Sequence, residues 1–234
     1  MSGSIEFRAY ENRPAASAAA ANLLARLIRG KLDSGPDKQA SLVVSGGSTP
    51  GACFDLLSGE ALDWSRVTVL PSDERWVPGD DPDSNERLIR QRLLRGAASA
   101  GKVLSFYRKD LDAAQAPRAI EQDLNKLDRP FSVSLLGMGE DGHFASLFPD
   151  YANLQTALDP SGKAQCLSVQ TASSPHLRIS LTLSALINSS RIVLLMFGEA
   201  KRAVFETANT GGSGYPVEAL LQQFPGPLTV IWAP

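Results

Sequence analysis

The chain has 234 residues, 43% of them hydrophobic and 21% charged, and a formal net charge of −2. This length suits one α/β domain over residues 1–234 that buries roughly 70–75% of its unfolded surface. The near-balanced charge lacks the basic footprint of a nucleic-acid binder, and no apolar run approaches the ~20 residues of a membrane span. Cys53 and Cys166 stand in no metal or redox spacing and read as two reduced thiols.

The alanine-rich segment Ala15 to Leu32 has the look of a targeting peptide, but Asn22, Arg26 and Arg29 interrupt it. Pro14 suits the first position of a helix, so the segment is expected to be an amphipathic first helix of a cytoplasmic protein. Apolar runs of strand length follow at Ser41–Val44, Val67–Leu70, Phe131–Leu136, Ile192–Phe197 and Leu228–Trp232, with weaker ones at Val103–Tyr107 and Cys166–Val169. Helical patterns separate them at Gly51–Leu57, Asn85–Leu94, Arg118–Leu127, Leu183–Asn188, Ala200–Asn209 and Val217–Gln223. Thr49-Pro50 predicts a capped helix start, and Asp83 with Glu86 a capping box. Alternating strands and helices imply β-α-β units, and continuous apolar strands imply a sheet covered on both faces. The expected fold is α/β: an open, mainly parallel sheet with helices on both faces, doubly wound and Rossmann-like.

In such a sheet, ligands bind outside the carboxyl ends of the strands, and four segments there carry chemistry. In VVSGGSTP the glycines Gly46 and Gly47, with Ser48, sit between a strand and a helix, where the backbone can approach an anion closely. The segment is neither a Walker loop nor a dinucleotide fingerprint. In SDERWVP, Arg75 is a fixed cation for a phosphate, a carboxylate or an oxyanion, alongside Asp73; a structural ion pair of Arg75 with Asp73 or Glu74 is the competing reading.

The third segment is LLGMGEDGHFASLFP, Leu135 to Pro149: a buried strand, a polar turn with three glycines and two carboxylates, then His143, with a helix expected just after it. His143 suits proton transfer, and Asp141 or Glu140 is placed to orient its imidazole. With only His143 and His176 available, a catalytic zinc site, which needs three ligands, is disfavoured. The fourth set is Arg178 in PHLRISLTL and Lys201 after Gly198, each suited to clamp a phosphate at the same sheet edge. No G-x-S-x-G elbow exists, so water with His143 as its base is simpler chemistry than a serine nucleophile. Gly211-Gly212-Ser213-Gly214 reads as a mobile loop or, more sharply, as a lid.

Together VSGGSTP, SDERWVP with SNERLIRQRLL after it, and LLGMGEDGHFASLFP resemble the 6-phosphogluconolactonase family, in order and spacing along nearly the whole chain. The resemblance implies a parallel α/β sheet and hydrolysis of 6-phospho-D-glucono-1,5-lactone, a small sugar-phosphate substrate, to 6-phosphogluconate in the oxidative pentose phosphate pathway. It implies no cofactor or metal, makes His143 the general base and Arg75 the active-site arginine, and makes the Gly46-Gly47 loop the wrap around the ligand. Arg178 and Lys201 fall where the superfamily places phosphate-binding cations. Glucosamine-6-phosphate deaminases share the superfamily and resemble the segment up to the histidine, but carry an Asn-Glu pair after it. Here Phe144 to Pro149 contain no carboxylate. A sugar-phosphate sensor without turnover is the non-enzymatic alternative, and the sequence sets no oligomeric state.

Overall fold

The five strong apolar runs become neighbouring strands of one parallel sheet. The structure, a computed structural model, describes residues 3–234. In chain order the elements are β1 (Ile5–Ala9), α1 (Arg13–Asp33), β2 (Ala40–Val44), α2 (Gly51–Leu57), β3 (Val67–Pro71), β4 (Asp73–Arg75), α3 (Asn85–Leu88, continued by a wider π-turn over Ile89–Leu93) and β5 (Lys102–Val103). Then come α4 (Ala116–Leu124), β6 (Val133–Leu136), α5 (Leu154–Ala157), β7 (Cys166–Val169), β8 (Arg178–Leu181), α6 (Leu183–Ile187), β9 (Ile192–Phe197), α7 (Glu199–Thr210), α8 (Pro216–Gln223) and β10 (Leu228–Ala233).

Seven strands form the parallel sheet, in the order β1-β10-β9-β6-β2-β3-β5. Alternation along each strand sends side chains to opposite faces, and both faces are dry. Leu42, Val44, Val133, Leu135, Val193 and Leu195 pack in one core with Leu24 and Ile28 of α1 and Phe54 of α2. Val43, Leu136, Ile192, Leu194 and Val230 pack in the other with Ile120 of α4, Phe205 of α7 and Leu220 of α8. Leu24 is fully buried, so truncating it to Ala would cost roughly 2–5 kcal/mol. Among the described residues no helix is long and apolar enough to cross a membrane.

The chain winds outward from β2 to β3 and β5, and on the other side from β6 to β9 and β10. Strand order therefore reverses between β2 and β6, whose residues Val44 and Leu135 are paired. A crevice opens outside the carboxyl ends at such a switch point, and both glycine-rich turns leave the sheet there.

Several local expectations are corrected. The SDERWVP segment begins with a strand: β4 pairs antiparallel with β8, which pairs antiparallel with β7, in a separate three-stranded sheet. Cys166–Val169 is thus a strand outside the main sheet. No helix follows His143 directly; Phe144 and Leu147 form an isolated bridge, and the next helix is α5. The cap of α3 is Ser84, whose Oγ accepts from Arg87 N at 3.2 Å, rather than Asp83. Thr49 caps nothing: Pro50 precedes α2 without a side-chain cap. Only the start of Val103–Tyr107 is paired, as β5 against Thr68 and Val69.

Candidate active site

The turn after β6 is built around a close approach. Gly139 N donates to His143 O at 2.9 Å, folding the turn back on itself. A Cβ at Gly139 would lie 2.3 Å from His143 Nδ1 and 2.4 Å from Asp141 Oδ1, so only glycine fits. The imidazole Nδ1 lies 2.6 Å from Asp141 Oδ1, which also accepts the His143 backbone N–H at 3.2 Å. In the tautomer whose Nδ1–H donates to this carboxylate, Nε2 is left as the free acceptor. Phe148, buried, packs against the ring in a tilted arrangement, 4.3 Å between centroids and 35° between planes. The far side of this turn is braced by α8, where Val217 N donates to Gly142 O at 2.9 Å.

The turn after β2 lies opposite. Gly46 passes against Asn85, where a Cβ would fall 1.9 Å from the amide Oδ1. Asn85 is buried and donates through Nδ2 to Asp73 O at 2.7 Å, tying the start of α3 to β4. Glu74 completes that tie, accepting from the backbone N–H groups of Arg75 (2.8 Å), Asn85 (2.7 Å) and Glu86 (2.7 Å) and from Ser84 Oγ (3.1 Å). Burial pushes the Glu74 carboxyl up to about 7, against the pull of those four donors.

β4 and β8 bring Arg75 and Arg178 to directly paired positions. Like charges across a strand pair repel, and a carboxylate offsets one of the two: Asp73 Oδ2 accepts from Arg178 Nη1 at 3.3 Å and from Ser146 Oγ, and Oδ1 from Ser72 Oγ at 3.1 Å. Burial, the largest cause, lowers the Arg178 guanidinium, and Arg75 lowers it further, while Asp73 holds it up. Arg75 donates to Asp83 O, and its buried Nε has no partner among the described residues. The ion pair considered for Arg75 therefore belongs to Arg178. Lys201, in the first turn of α7, faces the same space.

These groups enclose a cleft of about 310 Å³ lined by Gly46, Gly47, Ser48, Asp73, Arg75, His143, Arg178 and Lys201. Every site residue expected from the sequence lines it except Asp141, which stands behind His143. Its surplus of cations and its exposed backbone turns suit a small, highly charged anion.

The model of the glucosamine-6-phosphate isomerase/6-phosphogluconolactonase family matches residues 11–232. The chain belongs to this family. It is 40% identical to a 6-phosphogluconolactonase of Pseudomonas aeruginosa, over 90% of this chain and 89% of that one. It is 38% identical to a 6-phosphogluconolactonase of Mesorhizobium japonicum, over 99% and 96%. A 6-phosphogluconolactonase crystal structure from Shewanella baltica superposes with a TM-score of 0.92 at 37% identity, covering 100% of both chains.

Within this member of the family, residues overlooked in the sequence, among them Asn85 and Ser173, also line the cleft. Asn85 stood inside SNERLIRQRLL, but its contact with Gly46 joins segments far apart in the chain. The loop Gly211–Gly214 is not an untethered lid. Glu218 accepts from Gly212 N (2.7 Å), Ser213 N (2.7 Å), Ser213 Oγ (2.5 Å) and Gly214 N (3.2 Å), which hold its carboxyl down at about 2.

Proposed function

We propose that this chain hydrolyses 6-phospho-D-glucono-1,5-lactone to 6-phospho-D-gluconate, the second step of the oxidative pentose phosphate pathway, with His143 as general base. The observation that carries the reading is an imidazole oriented by Asp141 through Nδ1, with Nε2 free, in a cleft whose arginines face each other across paired strands. Relatives that cover nearly the whole chain and bear the lactonase name support it.

The substrate phosphate, near −2, is matched by Arg178, Lys201 and the backbone turn at Gly46–Ser48. His143 Nε2 takes a proton from water as its oxygen attacks the lactone carbonyl. The oxyanion that develops is stabilised by Arg75 or by backbone N–H donors of the glycine turns. As the carbonyl re-forms, the bond to the ring oxygen breaks and the imidazolium gives that oxygen its proton. The carboxylic acid then loses a proton to solvent. Base-then-acid work by one group contributes typically ~10²–10⁴-fold. Asp141 stabilises the intermediate imidazolium, and Asp73 holds Arg178 in place. No carboxylate stands between Phe144 and Pro149, which sets the turn apart from the deaminase pattern.

The test is to generate the lactone from glucose 6-phosphate and follow its disappearance with and without protein. Faster loss with stoichiometric 6-phosphogluconate is expected. Unaccelerated loss despite 6-phosphogluconate binding would mark a sensor, and ammonia release from glucosamine 6-phosphate a deaminase; either result overturns the proposal.

A further inference from the structure

The other arginine that burial pulls down is remote from the cleft. Arg129 lies just before β6, at the edge of the main sheet opposite the catalytic turns. Its guanidinium covers the Phe131 ring at 3.6 Å from the centroid, and Nη2 donates to the Gln165 side chain. Nη1 is buried and has no hydrogen-bond partner among the described residues. Desolvation brings the group down to about 10, and no carboxylate opposes that shift. Arg178, which burial lowers likewise, has Asp73; among the described residues neither Arg129 nor Lys163 enters any ion pair.

A half-buried cation without a counter-charge is costly unless something anionic completes it. Arg129 borders a cavity of about 440 Å³ whose walls include Lys163, Gln165, Asn125 and Asn188; they contain those two cations and no carboxylate. Because Nη1 is closed off, an anion in the cavity would meet the Nε–Nη2 edge of the Arg129 guanidinium, a planar pair of donors suited to phosphate oxygens, while the Lys163 ammonium adds a point charge. The cavity is many times the ~30 Å³ share of a water molecule, which leaves room for a substituent on the phosphate. We propose that this cavity is a second anion site, separate from the cleft, which binds the phosphate group of a small phosphate monoester through Arg129 and Lys163. The inference stands on this cavity alone and is independent of the lactonase reading.

Backbone-amide NMR of the full chain tests it, because the two sites report separately. Inorganic phosphate and glucose 6-phosphate are titrated in turn, with sodium chloride at matched ionic strength as control. The amides of Ser161, Lys163 and Gln165 are expected to shift saturably with both phosphates and not with chloride. Arg129→Gln and Lys163→Gln should each weaken that response at least ~10-fold, a loss of about 1.4 kcal/mol. Cleft amides at Gly46–Ser48 and lactone turnover should stay at wild-type values, which also reports that the variants are folded. Arg129→Lys, which keeps the charge and loses the fork, should fall between. Chloride-like, non-saturating shifts, saturation that survives Arg129→Gln, or a response to inorganic phosphate without glucose 6-phosphate would each overturn the proposal.

Discussion

Replacing Asp141 by Asn isolates the contribution of the imidazole's partner. The Nδ1–Oδ1 contact is 2.6 Å, with 29% of the His143 and 43% of the Asp141 side chain exposed. A unit-charge pair at about 4 Å is worth ~1 kcal/mol in water and ~4 kcal/mol at an effective dielectric of 20. Partial exposure places this pair between those limits, at roughly 1.5–3 kcal/mol. That energy matters only once the imidazolium forms, so it belongs to the transition state: ~10–150-fold in kcat at ~1.4 kcal/mol per decade. Asp141 does not line the cleft, so KM should change less than about twofold. Initial rates of lactone loss with wild type and Asp141→Asn, corrected for spontaneous hydrolysis, give both constants. A kcat within twofold of wild type, or a defect confined to KM, would refute the assignment of Asp141 as the group that steadies the imidazolium.

Three further outcomes are expected. Lys201→Gln removes a cation that forms no ion pair among the described residues, so KM should rise about tenfold with little change in Tm, whereas Arg178→Gln strands buried Asp73 and should also cost ~3–5 kcal/mol of stability by denaturant unfolding. Gly46→Ala drives a Cβ to 1.9 Å from Asn85 Oδ1; it should reduce kcat/KM by at least ~10-fold, and Asn85→Ala in the same chain should recover part of that loss, a non-additivity read from a double-mutant cycle. Glu74 titrates at about 7 folded against an ordinary 4.5, so the folded state binds its proton more tightly, and the stabilisation present below pH ~4.5 is lost as pH rises through ~7. Unfolding free energies should fall by up to ~3 kcal/mol across that window from this group, and Glu74→Gln should flatten the slope; an unchanged slope would count against it.

What the sequence disclosed followed burial. β2, β3, β6, β9 and β10 are covered on both faces, so they appear as unbroken apolar runs, and the turns after β2 and β6 stand out as glycines against that background. β1 was not legible: at the sheet edge IEFRA interleaves charged residues with apolar ones of which only Ile5 is half-buried, while Phe7 and Ala9 are exposed. β4 was hidden because three charged residues, Asp73 to Arg75, carry no strand signal; only pairing with β8 makes them one. The same pairing hid the partner of Asp73, since Arg178 lies 105 residues away. Arg178 and Arg75 were legible as cations but not as neighbours. The glycines of Gly211–Gly214 suggested freedom, and the acceptor that ties the loop in this structure, Glu218, lies in the first turn of the next helix. Gly139, by contrast, was placed correctly between strand and histidine, and the structure adds why nothing larger fits.

The central claim is that His143 Nε2 takes the proton from water. The most direct measurement is the turnover of His143→Ala, paired with its affinity for 6-phosphogluconate by calorimetry. The account expects kcat to fall by at least ~10²-fold, with product affinity and Tm close to wild type, because the cations that hold the phosphate remain. A His143→Ala protein that binds product normally and keeps most of its turnover above the spontaneous rate would contradict it.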